Sequence, residues 1–143
     1  MKEILLSIQN RLAEVAALKY IDEDWGQLDL YQNDTPVNWP CCLFDVGTGT
    51  FDNVARGGQN ALFMLELTVA KLRLTNTSLR APKSQKDHAW EIHGILQGIH
   101  EKLQTFRPGQ NCSGLIRTST KRIRRDDGIQ EYRVAYSFEV FGV

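Results

Sequence analysis

The sequence predicts an α+β fold: one domain over residues 1–143, with two main helices packed on a mostly antiparallel sheet that has a long central strand and a C-terminal β-hairpin. Three observations predict it. Apolar residues recur at steps of three and four in two separate stretches, residues 3–18 and 86–106, as in helices with one buried face. Between them, residues 61–74 alternate in a strand-like pattern. Near the end, residues 115–125 and 129–140 flank Asp126, Asp127 and Gly128, a turn sequence tolerant of positive φ. Length and composition agree: 143 residues, 42% hydrophobic and 24% charged, make one domain with enough apolar material for its own core.

The elements follow in order. Leu5, Ile8, Leu12 and Val15 form the apolar stripe of the first helix, with Glu3, Gln9, Arg11 and Glu14 mostly opposite. Residues 20–38 lose that rhythm at Gly26, Asn33 and Pro36, with Leu28, Asp29, Leu30 and Tyr31 read as a short strand. Pro36 and Pro40 bracket Trp39 and keep the chain extended. Residues 41–46 suit a buried strand, and Gly47, Gly49, Gly57 and Gly58 suggest a flexible loop. In residues 61–74 one face is wholly apolar and the other half-polar; β-formers and the Gly57, Gly58 entry favour strand over helix. At about 3.3 Å per residue that strand spans some 46 Å, so it must bend or project beyond a core of this size. Residues 75–86 form a polar loop. Ala89, Ile92, Leu96, Ile99, Leu103 and Phe106 then mark the second helix, stopped by Pro108 and Gly109. On the hairpin, Tyr132, Val134, Tyr136, Phe138 and Val140 define the buried face.

A search for catalytic machinery finds no catalytic, cofactor-binding or metal-binding set. Gly47, Thr48 and Gly49 would need a glycine at Asp52 to complete a dinucleotide fingerprint, and there is no phosphate loop or nucleophile elbow. His93 and His100 share a helix face, but seven residues place their backbones roughly 10 Å apart, too far for one ion; His88 lies beside them on a flank read as solvated. Cys41 and Cys42 point to opposite faces of their strand and read as packing. Cys112, between Asn111 and Ser113, reads as exposed but without a basic neighbour to activate it. Trp39 and Trp90 read as structural, and Trp25, set among acids, as a candidate exposed anchor. No apolar run approaches the roughly 18 residues a membrane helix needs, and the N-terminus lacks the apolar stretch of a secretion signal. The expectation is a non-secreted protein of a reducing compartment.

Charge is where the sequence is informative. The totals cancel, 17 basic against 17 acidic residues, yet the signs are separated. Residues 20–55 hold Asp22, Glu23, Asp24, Asp29, Asp34, Asp45 and Asp52 with no lysine or arginine. Residues 67–86 hold Lys71, Arg73, Arg80, Lys83 and Lys86, and residues 115–125 hold Arg117, Lys121, Arg122, Arg124 and Arg125, with no acid in either stretch. Charged strands protect sheet edges from aggregation. Separated signs also favour head-to-tail contacts between unlike surfaces, which close into rings when the rotation permits. The candidate interface residues are therefore the basic Lys71, Arg73, Arg80, Arg117, Lys121, Arg122, Arg124 and Arg125, the acidic Asp22, Glu23, Asp24, Asp29 and Asp34, and Trp25.

The order of parts is a leading helix, an acidic loop before Trp39 and Pro40, a glycine loop into a long strand, a second helix, and a hairpin ending Tyr136, Ser137, Phe138, Glu139, Val140. In size and order it resembles the tail terminator and tail-completion proteins of long-tailed bacteriophages and prophages. The resemblance runs over residues 4–141 and rests on patterning. It implies a non-enzymatic structural protein, assembled in the bacterial cytoplasm into the tail or neck of a virion. It also implies a homo-oligomer, a hexameric ring, that caps the tail tube, meets the head connector and makes transient non-specific contact with DNA passing through its lumen. The alternative is a small nucleic-acid-binding module using the basic hairpin, which predicts exposed aromatics and salt-sensitive binding. A third reading, a small enzyme or regulatory domain built from scattered residues such as Glu91, His93 and Cys112, requires a polar pocket.

Overall fold

The computed structural model describes residues 1–33 and 36–143, with the backbone alone for 31–33. Its elements are α1 (Lys2–Leu12), β1 (Tyr20–Glu23), β2 (Cys41–Asn53), β3 (Gln59–Leu72), α2 (Lys83–Leu103), β4 (Ile116–Ile123) and β5 (Ile129–Val140). One five-stranded sheet runs in the order β1-β2-β3-β5-β4. β1 lies parallel to β2 and every other pairing is antiparallel, so the α+β architecture is as expected.

The helices cover one sheet face. Ile4, Ile8 and Leu12 of α1 and Ile95, Ile99 and Leu103 of α2 meet Cys42, Phe44, Leu65, Leu67, Val69, Val134, Tyr136, Phe138 and Val140 in the main core. α1 is shorter than its periodicity suggests. The chain leaves the helix at Leu12 and continues in turns closed by Val15 N–H to Leu12 O and Leu18 N–H to Val15 O. Val15 still reaches the core, so its spacing reports burial rather than helix. α2 likewise ends at Leu103, before Pro108 and Gly109. Thr105 takes φ 66°, and Thr105 and Leu115 then exchange backbone hydrogen bonds with the facing chain (Thr105 N–H to Leu115 O, Leu115 N–H to Phe106 O, both 2.8 Å).

The other face has a smaller core. Leu28, Val37, Cys41, Leu43, Ala70 and Ile129 cluster there, with Trp39 and Tyr20 packed against them. The expected strand over residues 28–31 lies instead in a 3-10 helix, Gln27–Asn33. Gly26 turns the chain at φ +91°, and only one of the two leucines faces inward: Leu28 is buried while Leu30 is exposed.

The expected glycine loop is mostly strand. β2 runs on through Gly47 and Gly49 past a bulge between Asp45 and Thr48, in register with β3 as far as Asn53 opposite Gln59. Gly49 is there for contact: a Cβ at this position would sit 2.6 Å from the Phe63 ring. The true turn is short, with Arg56 and Gly57 both at positive φ. Residues 50–57 are all exposed. The long central strand therefore ends, with β2, in an arm that the helices do not cover.

Candidate functional site

The charged residues fall into three places. β4 is the outer strand of the sheet, and every residue from Ile116 to Arg122 is exposed. Cross-strand partners share a face, so Arg117 (opposite Tyr136) and Arg122 (opposite Tyr132) lie on the helix side, while Lys121 (opposite Arg133) lies on the other. At the hairpin end, Arg73, Arg122, Arg124 and Arg125 converge on one cleft of about 210 Å³. Arg80 is exposed in the loop before α2.

Two of the expected surface cations are not free. Arg125 sits within the hairpin end, its guanidinium 2.7 Å from Asp127 and 2.8 Å from Glu131, with Asp29 at 3.7 Å. Both of its close partners are nearly solvent-free, so the hydrogen bonds to Asp127 and Glu131 hold the arginine pKa well above its usual value, and the hydrogen bond from Arg125 holds Asp127 below the usual carboxylate range. Glu131 also accepts from Arg133 Nε at 3.3 Å. Lys71 is 5% exposed, tucked under α2, where its ammonium donates to the His88 carbonyl and pairs with Glu91 at 3.2 Å. These two cations are spent on contacts within the chain, through charge-assisted hydrogen bonds to carboxylates and a carbonyl.

The acids beside β1 are tied into local turns. Asp22 accepts from the Tyr20 hydroxyl at 2.8 Å and from Trp25 Nε1 at 3.3 Å, and Asp24 accepts from Gly26 N–H at 3.0 Å. Glu23, Asp24 and Asp29 are exposed, and Trp25 is 56% exposed. Asp34 lies outside the described residues. The acidic and basic blocks meet within the chain only at Asp29 and Arg125 among the described ion pairs.

The remaining candidates change character in place. His100 Nδ1 lies 3.1 Å from the buried Tyr136 hydroxyl, and His93 meets the Tyr132 ring edge-on at 5.5 Å. His88 and His93 stay exposed, as a solvated flank requires, while His100 is half-buried in a seam between α2 and β5. Burial first, then the charge of Arg117, lowers the His100 pKa, while burial raises Tyr136 to about 12. Cys112 is buried rather than exposed, and burial raises its thiol pKa. Burial pushes Cys41 up to about 12 and Cys42 higher still; each occupies one of the two cores, as their opposite directions require. Among the described residues no group of three His, Cys, Asp or Glu side chains converges as a metal site would require, and no helix is long and apolar enough to cross a membrane.

Sequence reasoning missed two features. One is the apolar groove of about 690 Å³ where Leu62, Ile116, Phe138 and Phe141 gather beside Arg107 and Glu139. The other is the uncovered outer edge of β2. β1 pairs only with Cys41 to Phe44, which among the described residues leaves 45–53 with one neighbour, β3. The only signal was the strand-forming Thr48, Thr50 and Phe51, and the glycines outweighed it.

A mixed sheet with helices on one face and an open edge at each side is a frame that many assemblies share, and comparison narrows it. No protein-family model and no curated protein matches the sequence. Among solved structures, the fold is similar to a chain in the virion of a native gene transfer agent particle, with a TM-score of 0.52 at 11% identity. The match covers 92% of this chain and 84% of that one.

Proposed function

We propose that the chain is a non-enzymatic structural protein of a phage-like virion, and that it serves as a tail terminator. Copies form a hexameric ring that caps the tail tube and presents its other surface to the head connector. DNA passes through the lumen with transient, sequence-independent contacts. The protein is made in the bacterial cytoplasm and ends in the tail or neck of the particle.

The observation that carries this reading is the near full-length fold similarity to a chain of a gene transfer agent virion. The exposed arm of β2 and β3, the basic outer strand and the acidic region beside β1 supply unlike surfaces for head-to-tail contact. A single-subunit nucleic-acid module would instead stack bases on exposed aromatics. Tyr136 and Phe138 lie buried under the helices and Tyr132 is half-buried, so the hairpin offers no such platform.

Light scattering and negative-stain microscopy of the purified protein, alone and mixed with tail-tube protein, test the reading. The expected result is a ring, formed alone at high concentration or on the end of the tube. A chain that stays monomeric under both conditions overturns it.

A further inference from the structure

We infer that copies of this chain join edge to edge, the outer edge of β2 over residues 45–53 in one copy pairing with the outer edge of β4 in the next, so that the sheets run on from subunit to subunit. The inference rests on the ring reading and specifies its contact.

Three observations carry it. First, the sheet has two open edges of matching length. Among the described residues, 45–53 of β2 pair with β3 alone, and Ile116–Ile123 of β4 pair with β5 alone. Of β4, the Arg117 N–H already donates to Gln104 Oε1 at 3.1 Å. Open strand edges present rows of backbone donors and acceptors that another strand can complete.

Second, the edges are oppositely charged. The β2 segment carries Asp45 and Asp52 and no base; β4 carries Arg117, Lys121 and Arg122 and no acid. On the face away from the helices, Asp45 and Asp52 (beside Glu66 and Asn60) would continue into Ser119 and Lys121. On the helix face, the 55% exposed Phe51 ring shares its side with Arg117 and Arg122, a pairing suited to cation–π contact. Simple edge protection would be served by either sign at either edge. Opposite signs do more: β2 against β2 and β4 against β4 are repelled, and only β2 against β4 is attracted.

Third, the geometry repeats. Unlike edges meet head to tail, so each added copy exposes the same pair of edges again until a rotation closes the ring. Within one sheet β4 runs antiparallel to β2, since β2 and β5 share a direction. Rotation about an axis along the strands keeps that direction, so the contact between copies is antiparallel.

The test uses the full-length protein. Lys121→Glu with Arg122→Glu, and separately Asp45→Lys with Asp52→Lys, should each raise the concentration needed for assembly by about tenfold or more, as expected for like charges set against each other. Combining all four in one chain, or mixing the two double variants at equal amounts, should restore assembly. Hydrogen exchange on the unaltered protein supplies a second measure: amides of 46–53 and 119–123 should slow on assembly. Double variants that assemble like the parent, or a combined chain that does not recover, overturn the inference. So does a ring whose amides at both edges exchange as fast as in the monomer, and that outcome leaves the ring reading standing. A parent chain that never assembles, alone or on tail tube, overturns both.

Discussion

Arg125 shows how one side chain can decide the fate of a charge cluster. It neutralises Glu131, 2% exposed, and Asp127, whose side chain is 4% exposed, so its removal leaves Asp127 without a cation and Glu131 with Arg133 alone, both away from water. Arg125→Ala should cost on the order of 3–5 kcal/mol in urea unfolding, as expected when one partner of a buried ion cluster is deleted. Arg124→Ala, one residue away but exposed, should change stability by less than about 0.5 kcal/mol. His100 makes a pH prediction. Its folded pKa is depressed, by burial and then by Arg117, against a smaller opposing pull from Glu101. The unfolded imidazole takes up a proton below about pH 6.5 that the folded one resists, so the folded state loses stability as pH falls below that value. Thermal unfolding followed from pH 8 to pH 5 should show this fall, and His100→Gln should flatten it. Neither role was legible in the sequence. Glu131 alternates with the apolar residues of β5 and reads as solvent-facing, because nothing local reveals that Leu28, Val37 and Trp39 pack on that face of the sheet.

Elements were read well where one period governed a long run, and badly where a glycine or proline interrupted it. β3, α2, β4 and β5 are found within about three residues of the expected bounds. β3, α2 and β5 each bury a continuous apolar face, whereas β4 is exposed and is marked by the Asp126, Asp127, Gly128 turn that pairs it with β5. The second half of β2 reads as a loop because Gly47 and Gly49 carry the composition of one, although Gly49 serves the Phe63 ring and not a turn. Gly114 is a similar case. It lies where the chain leaving α2 and the chain entering β4 run closest, and a Cβ there would meet the Thr105 carbonyl oxygen at 2.8 Å and its Cα at 3.1 Å. Those atoms are backbone and cannot swing aside. Gly114→Ala should therefore destabilise the protein by about 1–3 kcal/mol, as overpacking does, with the loss visible as a lower urea midpoint. Gly94→Ala is the control: it lies within α2 with nothing in reach of the added methyl, and helix propensity makes that change neutral or stabilising.

For the whole molecule, the neutral sum of charge hides a polarity that survives folding. Only Arg125 and Asp29 join the two blocks internally among the described residues, and β4 keeps its sign at the surface. That polarity was legible from the sequence as segregated blocks; the edges that would use it were not, since strand order depends on contacts distant in the chain. Association driven by it should weaken as salt rises, because exposed charges are screened beyond about 10 Å at 0.1 M, and sedimentation at increasing sodium chloride would read this. The three cysteines offer one more use of the fold. Cys42 and Cys112 lie in the helix-side core and Cys41 in the opposite one, all fully enclosed and free of disulfides. A thiol-specific dye added to the native protein should therefore react only as each layer opens. Mapping the modified positions over time would give a chronology of how the subunit comes apart, with no reporter engineered into it.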